Sequence, residues 1–324
     1  MLIRTRRGWE IPESKVTSEA AVLGRRGVLA AGLGAGLIAG PAQAQWNPFG
    51  SAAKVPAQPL KPLKAKRNTT YPAGRAVTDE KDATSYNNFY EFSEDKSLVG
   101  PAQAMKLDPW SVEISGLVKT PRKIGLEDLL KQVSLEERIY RHRCVEAWAM
   151  TVPWIGFPLA DLVKLAEPLA GAKYVAFTSL ADPKTMVGLS KSWYPWPFMD
   201  SITLEEAGNE LSFLTVGMYG KTTPPQNGAP IRLTTPWKYG FKQVKSIVKV
   251  DFVAERPVGF WEKLQDSEYG FWANVNPAVP HPRWSQAYER LLGSDEKVPT
   301  QIWNGYGEFV SAMYVDKKNE RLFA

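Results

Sequence analysis

From residue 108 onward, apolar positions come in short runs whose period keeps changing. Trp110, Val112 and Ile114 alternate with polar residues and stop at Gly116, which predicts a strand followed by a turn. Leu126, Leu129, Leu130 and Val133 fall on one face of a short helix, and residues 139–143 read as a strand leading into Cys144. Leu159, Leu162, Val163, Leu165 and Ala166 predict a second helix, stopped near Pro168. Residues 174–177, 211–216 and 231–233 predict further short strands. Val244, Ile247, Val248, Val250 and Phe252 predict a longer one with a local irregularity. Residues 271–304, rich in Pro, Asn and Trp, are expected to wrap the domain before a last strand at 310–315. Mixed short strands and helices point to an α+β fold rather than repeated βαβ units. There is no G-x-G-x-x-G, no Walker A pattern and no internal repeat.

The pattern is different before residue 86. Arg25-Arg26 precede an apolar, glycine-rich run over 27–40 that ends in Ala42-Gln43-Ala44, the three parts of an export signal. The arginine pair and a core softened by Gly32, Gly34 and Gly36 point to the twin-arginine route. Gly24 and Val28 stand where such signals usually carry Ser or Thr and often Phe. The run is shorter than the roughly 20 apolar residues that span a bilayer, and no later segment approaches that length, so no transmembrane domain is expected in the mature chain. Residues 1–44 are therefore read as a twin-arginine signal peptide and 45–85, rich in Pro, Lys, Ala and Thr, as an extended arm. Residues 86–324 are read as one catalytic domain in an extracytoplasmic compartment, the periplasm.

Charge adds little. The chain has a formal net charge of +6, half of it in residues 1–44, so the remaining balance suits an anionic ligand but gives no footprint for nucleic acid. Cysteine usage says more. An exported chain with one cysteine forms no internal disulfide and has no resolving thiol for disulfide-cycling catalysis. Cys144 is thus a buried structural thiol, a nucleophile or a metal ligand. Its setting, Arg141-His142-Arg143-Cys144-Val145-Glu146-Ala147-Trp148, is expected to favour the thiolate. With only His142 and His281 available, a structural zinc site is excluded, and no C-x-x-C-H haem attachment is present. His142 reads equally well as a phosphate contact or a structural residue, and His281 as a surface or turn histidine. Two stretches, Pro224–Arg232 and Pro236–Lys245, combine rigid prolines, amides and repeated cations, which suits an anion or a polar heterocycle as well as it suits a solvated turn.

Several longer strings carry a resemblance: YNNFYEF (86–92), LEERIYRHRCVEAW (135–148), VPWIGFPL (152–159), AKYVAF (172–177), TVGMYGK (215–221), PPQNGAPIRL (224–233), PWKYGFK (236–242), YGFWANVNP (269–277) and HPRWSQA (281–287). Through them the chain resembles the sulfite oxidase family of molybdopterin enzymes, and within it the periplasmic protein-methionine-sulfoxide reductases. The resemblance implies a sulfite-oxidase-type α+β fold with mixed sheets and short helices, and one molybdenum-molybdopterin per chain. It implies Cys144 as metal ligand and catalytic residue. Cofactor contacts are implied at Asn87, Tyr90, Glu91, Ser179, Asn227, Arg232, Gln243, Val244 and Lys245. Ser179 stands where the family has Thr and keeps the hydroxyl. Gln243 stands where close members have Gly, which a main-chain N–H contact tolerates if φ is negative. The implied reaction is reduction of methionine sulfoxide in exported proteins, with electrons from a haem-bearing membrane subunit; sulfite oxidation is the alternative. Residues 181–201 fit the family's strings poorly and are expected to border the substrate, with Trp237 and Tyr239 at the entrance.

Overall fold

The structure, a computed structural model, describes residues 56–323. The signal read at 1–44 and the first part of the arm lie outside the described residues.

Two sheets organise the chain. The strand Trp148–Pro158 is the axis of the first. Along one edge it pairs antiparallel with Glu136–Arg143, which pairs in parallel with Lys66–Asn68. Along the other edge its two halves have different neighbours. Trp148 and Ala149 pair in parallel with Tyr288–Leu291, while 154–158 pair antiparallel with Phe213–Met218. Arg232–Thr234 and Lys221–Thr222 extend the sheet from Phe213–Met218, and Lys297–Pro299 extends it from Tyr288–Leu291. The second sheet runs in the order Arg122–Gly125, Ser111–Gly116, Ile247–Val253, Tyr174–Ser179, Met199–Thr203, and only its pairing of Ser111–Gly116 with Ile247–Val253 is parallel.

Strand side chains alternate between faces, so an axis strand buried on both sides feeds two cores. Trp148, Met150, Val152 and Trp154 enter an aromatic core with Tyr140, Phe213 and Trp237. Phe157 joins the other core, where Leu214 and Val216 meet Val112, Val175, Phe177 and Val250 of the second sheet and the helix Leu159–Ala166. A third cluster of Phe89, Phe92, Leu98, Ala102, Met105, Met186 and Ala229 pins down residues 86–105. Just before it, Asp79 caps the helix Glu80–Ser85 by accepting a hydrogen bond from the N–H of Lys81 at 2.9 Å.

Four sequence expectations need correction. The last segment is helical, Gly307–Val310 continuing as a 3-10 turn over Ser311–Tyr314, rather than a strand at 310–315. Its buried residues, Val310 and Tyr314, are spaced i, i+4 as a helix face requires. The long strand begins at Ile247; Val244 lies outside it, and Ser246, with φ 47°, turns the chain between them. The strand's irregularity is the register shift between Ile247 and Lys249. The helix at Leu126 ends at Leu130, short of Val133. Trp237 and Tyr239 are buried, not at an entrance, and the Trp237 indole donates to the Tyr314 hydroxyl at 2.8 Å.

Candidate cofactor site

Cys144 follows the strand Glu136–Arg143 in a tight turn whose ends are joined by the N–H of Cys144 donating to the carbonyl of Trp148 at 2.9 Å. Ala147, at φ 63°, makes the reversal. The turn places the sulfur in a cavity walled by residues 87–91, His142, Trp148, Met150, Arg232, Gln243 and Lys245, with Phe198, Phe241, Trp261 and Tyr269 opposite.

Three hydrogen-bonding groups surround the thiol. The Asn88 amide donates toward Sγ at 3.3 Å, the N–H of Glu146 approaches at 3.4 Å, and the Glu146 carboxylate stands at 3.9 Å. Burial works against the Glu146 charge, but Lys96, Asn88 and Trp148 outweigh it and hold its carboxyl below the usual range. The expectation of a thiolate favoured by its sequence neighbours fails. Burial, followed by Glu146, pushes the Cys144 thiol up to about 12. Arg141 is engaged with Ala73, Gln301 and Asn304, and Arg143 with Glu289 and the tail. His142 is held neutral, burial pushing it down to about 3 with Arg232 and Lys245 adding to the effect. Its Nδ1 meets the Gln243 side-chain oxygen at 3.2 Å, and Gly240 leaves room for the ring, since a Cβ there would lie 2.7 Å from it.

The cations of the two basic stretches divide sharply. Lys238 is buried against Glu206 at 2.5 Å and Lys242 against Asp200. Lys245 instead lines the cavity, where burial and the neighbouring Arg232 push its ammonium down against the supporting fields of Glu91 and Cys144. Arg232 is buried over the Trp154 ring and donates to the Asn227 carbonyl at 2.8 Å, yet its Nη2 has no hydrogen-bond partner. Arg232, buried with a spare donor, and the half-buried Lys245 beside it form a site for an anion.

The remaining residues expected here take two roles. Tyr90, Glu91 and Gln243 line the cavity with Asn87. Ser179, Asn227 and Val244 stand behind it. The Ser179 hydroxyl donates to Glu91 at 2.8 Å, Asn227 donates to Asn87 at 3.1 Å, and Val244 packs in the second core. Gln243 has φ −92°, which meets the condition set for a side chain there. Asn88, Lys96, Glu146, Trp261 and Tyr269 were not singled out. Asn88, Glu146 and Tyr269 lie inside the quoted strings and were open to discovery, whereas Trp261 is brought in by the fold alone. His281 occupies a turn but is buried, stacked on Trp284 at 3.7 Å.

Among the described residues no group of three or more His, Cys, Asp or Glu is placed to hold a metal ion. A single sulfur beside two unmatched cations therefore suits a metal that arrives with ligands of its own, inside an anionic organic group. Fold and donor set together define an α+β protein whose cavity suits such an anionic organic group beside one sulfur. Residues 99–261 match the family described as oxidoreductase molybdopterin binding domain. A protein-methionine-sulfoxide reductase catalytic subunit of Burkholderia mallei is 47% identical, covering 95% of this chain and 94% of that protein. The corresponding protein of Ralstonia nicotianae is 44% identical over the full length of both. Among solved structures, the sulfane dehydrogenase SoxCD of Paracoccus pantotrophus is similar at a TM-score of 0.39 and 14% identity, over 67% of this chain and 60% of that one. The chain belongs to the family of protein-methionine-sulfoxide reductase catalytic subunits, molybdopterin-binding oxidoreductases with the sulfite-oxidase type of fold.

Proposed function

We propose that this chain reduces methionine sulfoxide residues of exported proteins to methionine, using one molybdenum-molybdopterin held through Cys144. The observation that carries the reading is the lone thiol set beside two cations, Arg232 and Lys245, that lack an anionic partner within ion-pairing distance among the described residues. In this reading Arg232 and Lys245 grip the cofactor phosphate, while Asn87, Tyr90, Glu91 and Gln243 frame the pterin. Ser179, Asn227 and Val244 fix that frame. When bound, the molybdenum group supplies two-electron oxygen-atom chemistry.

The chain's own residues do the rest. Tyr90, Trp261 and Tyr269 wall the approach, exclude water and offer ring edges to the substrate sulfur. Burial pushes the Tyr269 hydroxyl up to about 12 and that of Tyr90 higher still, so both stay protonated and donate to a sulfoxide oxygen. Overall the sulfoxide takes two electrons and two protons and leaves as the sulfide, with its oxygen released as water. The electrons are assigned to a haem-bearing membrane subunit, and the compartment to the periplasm, reached by twin-arginine export. Supporting this, Arg25-Arg26 begins an export-type segment, and no helix among the described residues is long and apolar enough to cross a membrane.

The test reduces the purified, metal-loaded protein with an artificial donor and supplies methionine sulfoxide and sulfite in parallel. Reoxidation by the sulfoxide is expected. A reduced centre untouched by sulfoxide, with sulfite oxidised instead by the resting enzyme, overturns the reading.

A further inference from the structure

Outside the cofactor cavity, the tyrosine and tryptophan walls continue outward into a second chamber of about 400 Å³, lined by Tyr90, Tyr194, Trp261, Tyr269, Arg283 and Trp284 among others. Tyr194 belongs to the loop 181–201, which fitted the family strings poorly. Within that loop, Trp193 is 64% exposed and Val187 63%, the two most exposed large apolar residues among those described. Exposed apolar side chains are ordinary, but an indole this exposed, packed 5.9 Å from the chamber-lining Tyr194, marks a contact surface beside the site.

The loop is held in place. Its Gly188 N–H donates to the Glu91 carbonyl at 2.8 Å, Lys191 pairs with Glu94 at 2.8 Å, and the Tyr194 hydroxyl donates to Glu94 at 2.7 Å. From its tip, aromatic rings lead inward. Trp193 lies 5.9 Å from Tyr194, Tyr194 5.9 Å from Tyr90, and Tyr90 4.9 Å from Trp261. Tyr90 and Trp193 are thus within about 12 Å, a span that three or four residues of extended chain cover. The rim is electrically matched, with Lys191 spent on Glu94 and Arg283 on Glu268 at 2.8 Å. A neutral, apolar occupant suits it better than a charged one.

We propose that Trp193 forms an outer subsite for apolar side chains two to four residues from the methionine sulfoxide in an extended polypeptide. The subsite selects oxidised methionines whose sequence neighbours are hydrophobic, the kind released from a protein core when oxidation disrupts it. This rests on the reductase reading above.

The experiment compares three substrates on the loaded enzyme with an artificial electron donor: free methionine sulfoxide, a peptide with the sulfoxide flanked by Leu and Phe, and the same peptide with Gly and Ser flanks. Wild type is expected to prefer the apolar peptide. Trp193→Ala is expected to lower that preference, measured as a ratio of kcat/KM values, by roughly five- to tenfold through KM, the size of one lost aromatic contact. Trp193→Phe is expected to restore most of it. An unchanged ratio in Trp193→Ala overturns the inference. So does slower turnover seen only with a membrane electron donor, which assigns the patch to that partner. Failure of the wild type on all three substrates would strike the reductase reading instead.

Discussion

The side-chain amide of Asn88 lies 3.3 Å from the sulfur of Cys144 and 3.2 Å from the carboxylate of Glu146. One NH2 group therefore stands between a buried thiol and a carboxylate, and its carbonyl oxygen is taken by Lys96. This arrangement separates two like charges once the sulfur is ionised, but before a metal arrives it leaves the thiol form favoured.

Metal-free protein is expected to show that directly. With burial and Glu146 pushing the Cys144 thiol up to about 12, its alkylation by iodoacetamide is expected to be slow at pH 7. The rate is expected to climb about tenfold per pH unit to at least pH 9.5, because only the thiolate reacts. A plateau beginning near pH 8.5 would show an ordinary thiol.

Anion binding by Arg232 and Lys245 has a pH dependence of its own. Burial lowers the folded-state affinity of Lys245 for its proton, so the ammonium is lost earlier than usual as pH rises. Cofactor loading is therefore expected to weaken from neutral toward alkaline pH, and Lys245→Arg, charged throughout, to flatten the profile. Arg232→Met is expected to weaken loading by roughly ten- to hundredfold, the worth of hydrogen bonds to a charged group. Molybdenum content per chain, read by elemental analysis against added cofactor, checks all three.

What the sequence made legible depended on how locally each feature is encoded. The strands Ser111–Gly116 and Tyr174–Ser179 were legible from alternation or short apolar runs, and Leu159–Ala166 from its helical face. The axis strand Trp148–Pro158 was not, because ten of its eleven residues are buried and Pro153 and Gly156 interrupt it, so neither face shows as polar. The same physics misled at Cys144. Arg141 and Arg143 are close in sequence, but the fold directs their guanidinium groups to the tail and to Glu289 rather than to the sulfur. Trp261 reaches the cavity from a distant segment, with no local pattern to announce it.

Gly188 couples the outer loop to the cavity wall. A Cβ at this position would lie 2.1 Å from the carbonyl oxygen of Tyr90, a backbone atom that cannot swing aside. Gly188→Ala is expected to displace either the loop or residues 90–91, at a cost of about 1–3 kcal/mol, and to lower molybdenum content in the same protein. A variant with native melting temperature and full loading would show that the close approach is not needed.

The turn carrying Cys144 is tied to the tail by a buried charge cluster whose members are not equivalent. Arg143, fully buried, has its Nε 2.9 Å from one Glu289 oxygen, and Arg75 reaches the other at 2.6 Å. Arg143 also donates to the Gln286 side chain at 2.9 Å and to Thr300 at 3.2 Å. Removing Glu289 leaves two arginines without their carboxylate, whereas removing Arg143 leaves Glu289 still paired with Arg75. Glu289→Leu is therefore expected to cost about 3–5 kcal/mol and Arg143→Leu distinctly less, because an uncompensated buried charge is the expensive outcome. The double variant is expected to be more stable than Glu289→Leu alone, since it deletes one of the stranded charges. Urea unfolding of the three variants measures the order. If Arg143→Leu proved the more damaging, the hydrogen bonds of Arg143 to the tail, rather than charge balance around Glu289, would be what holds the cysteine turn in place.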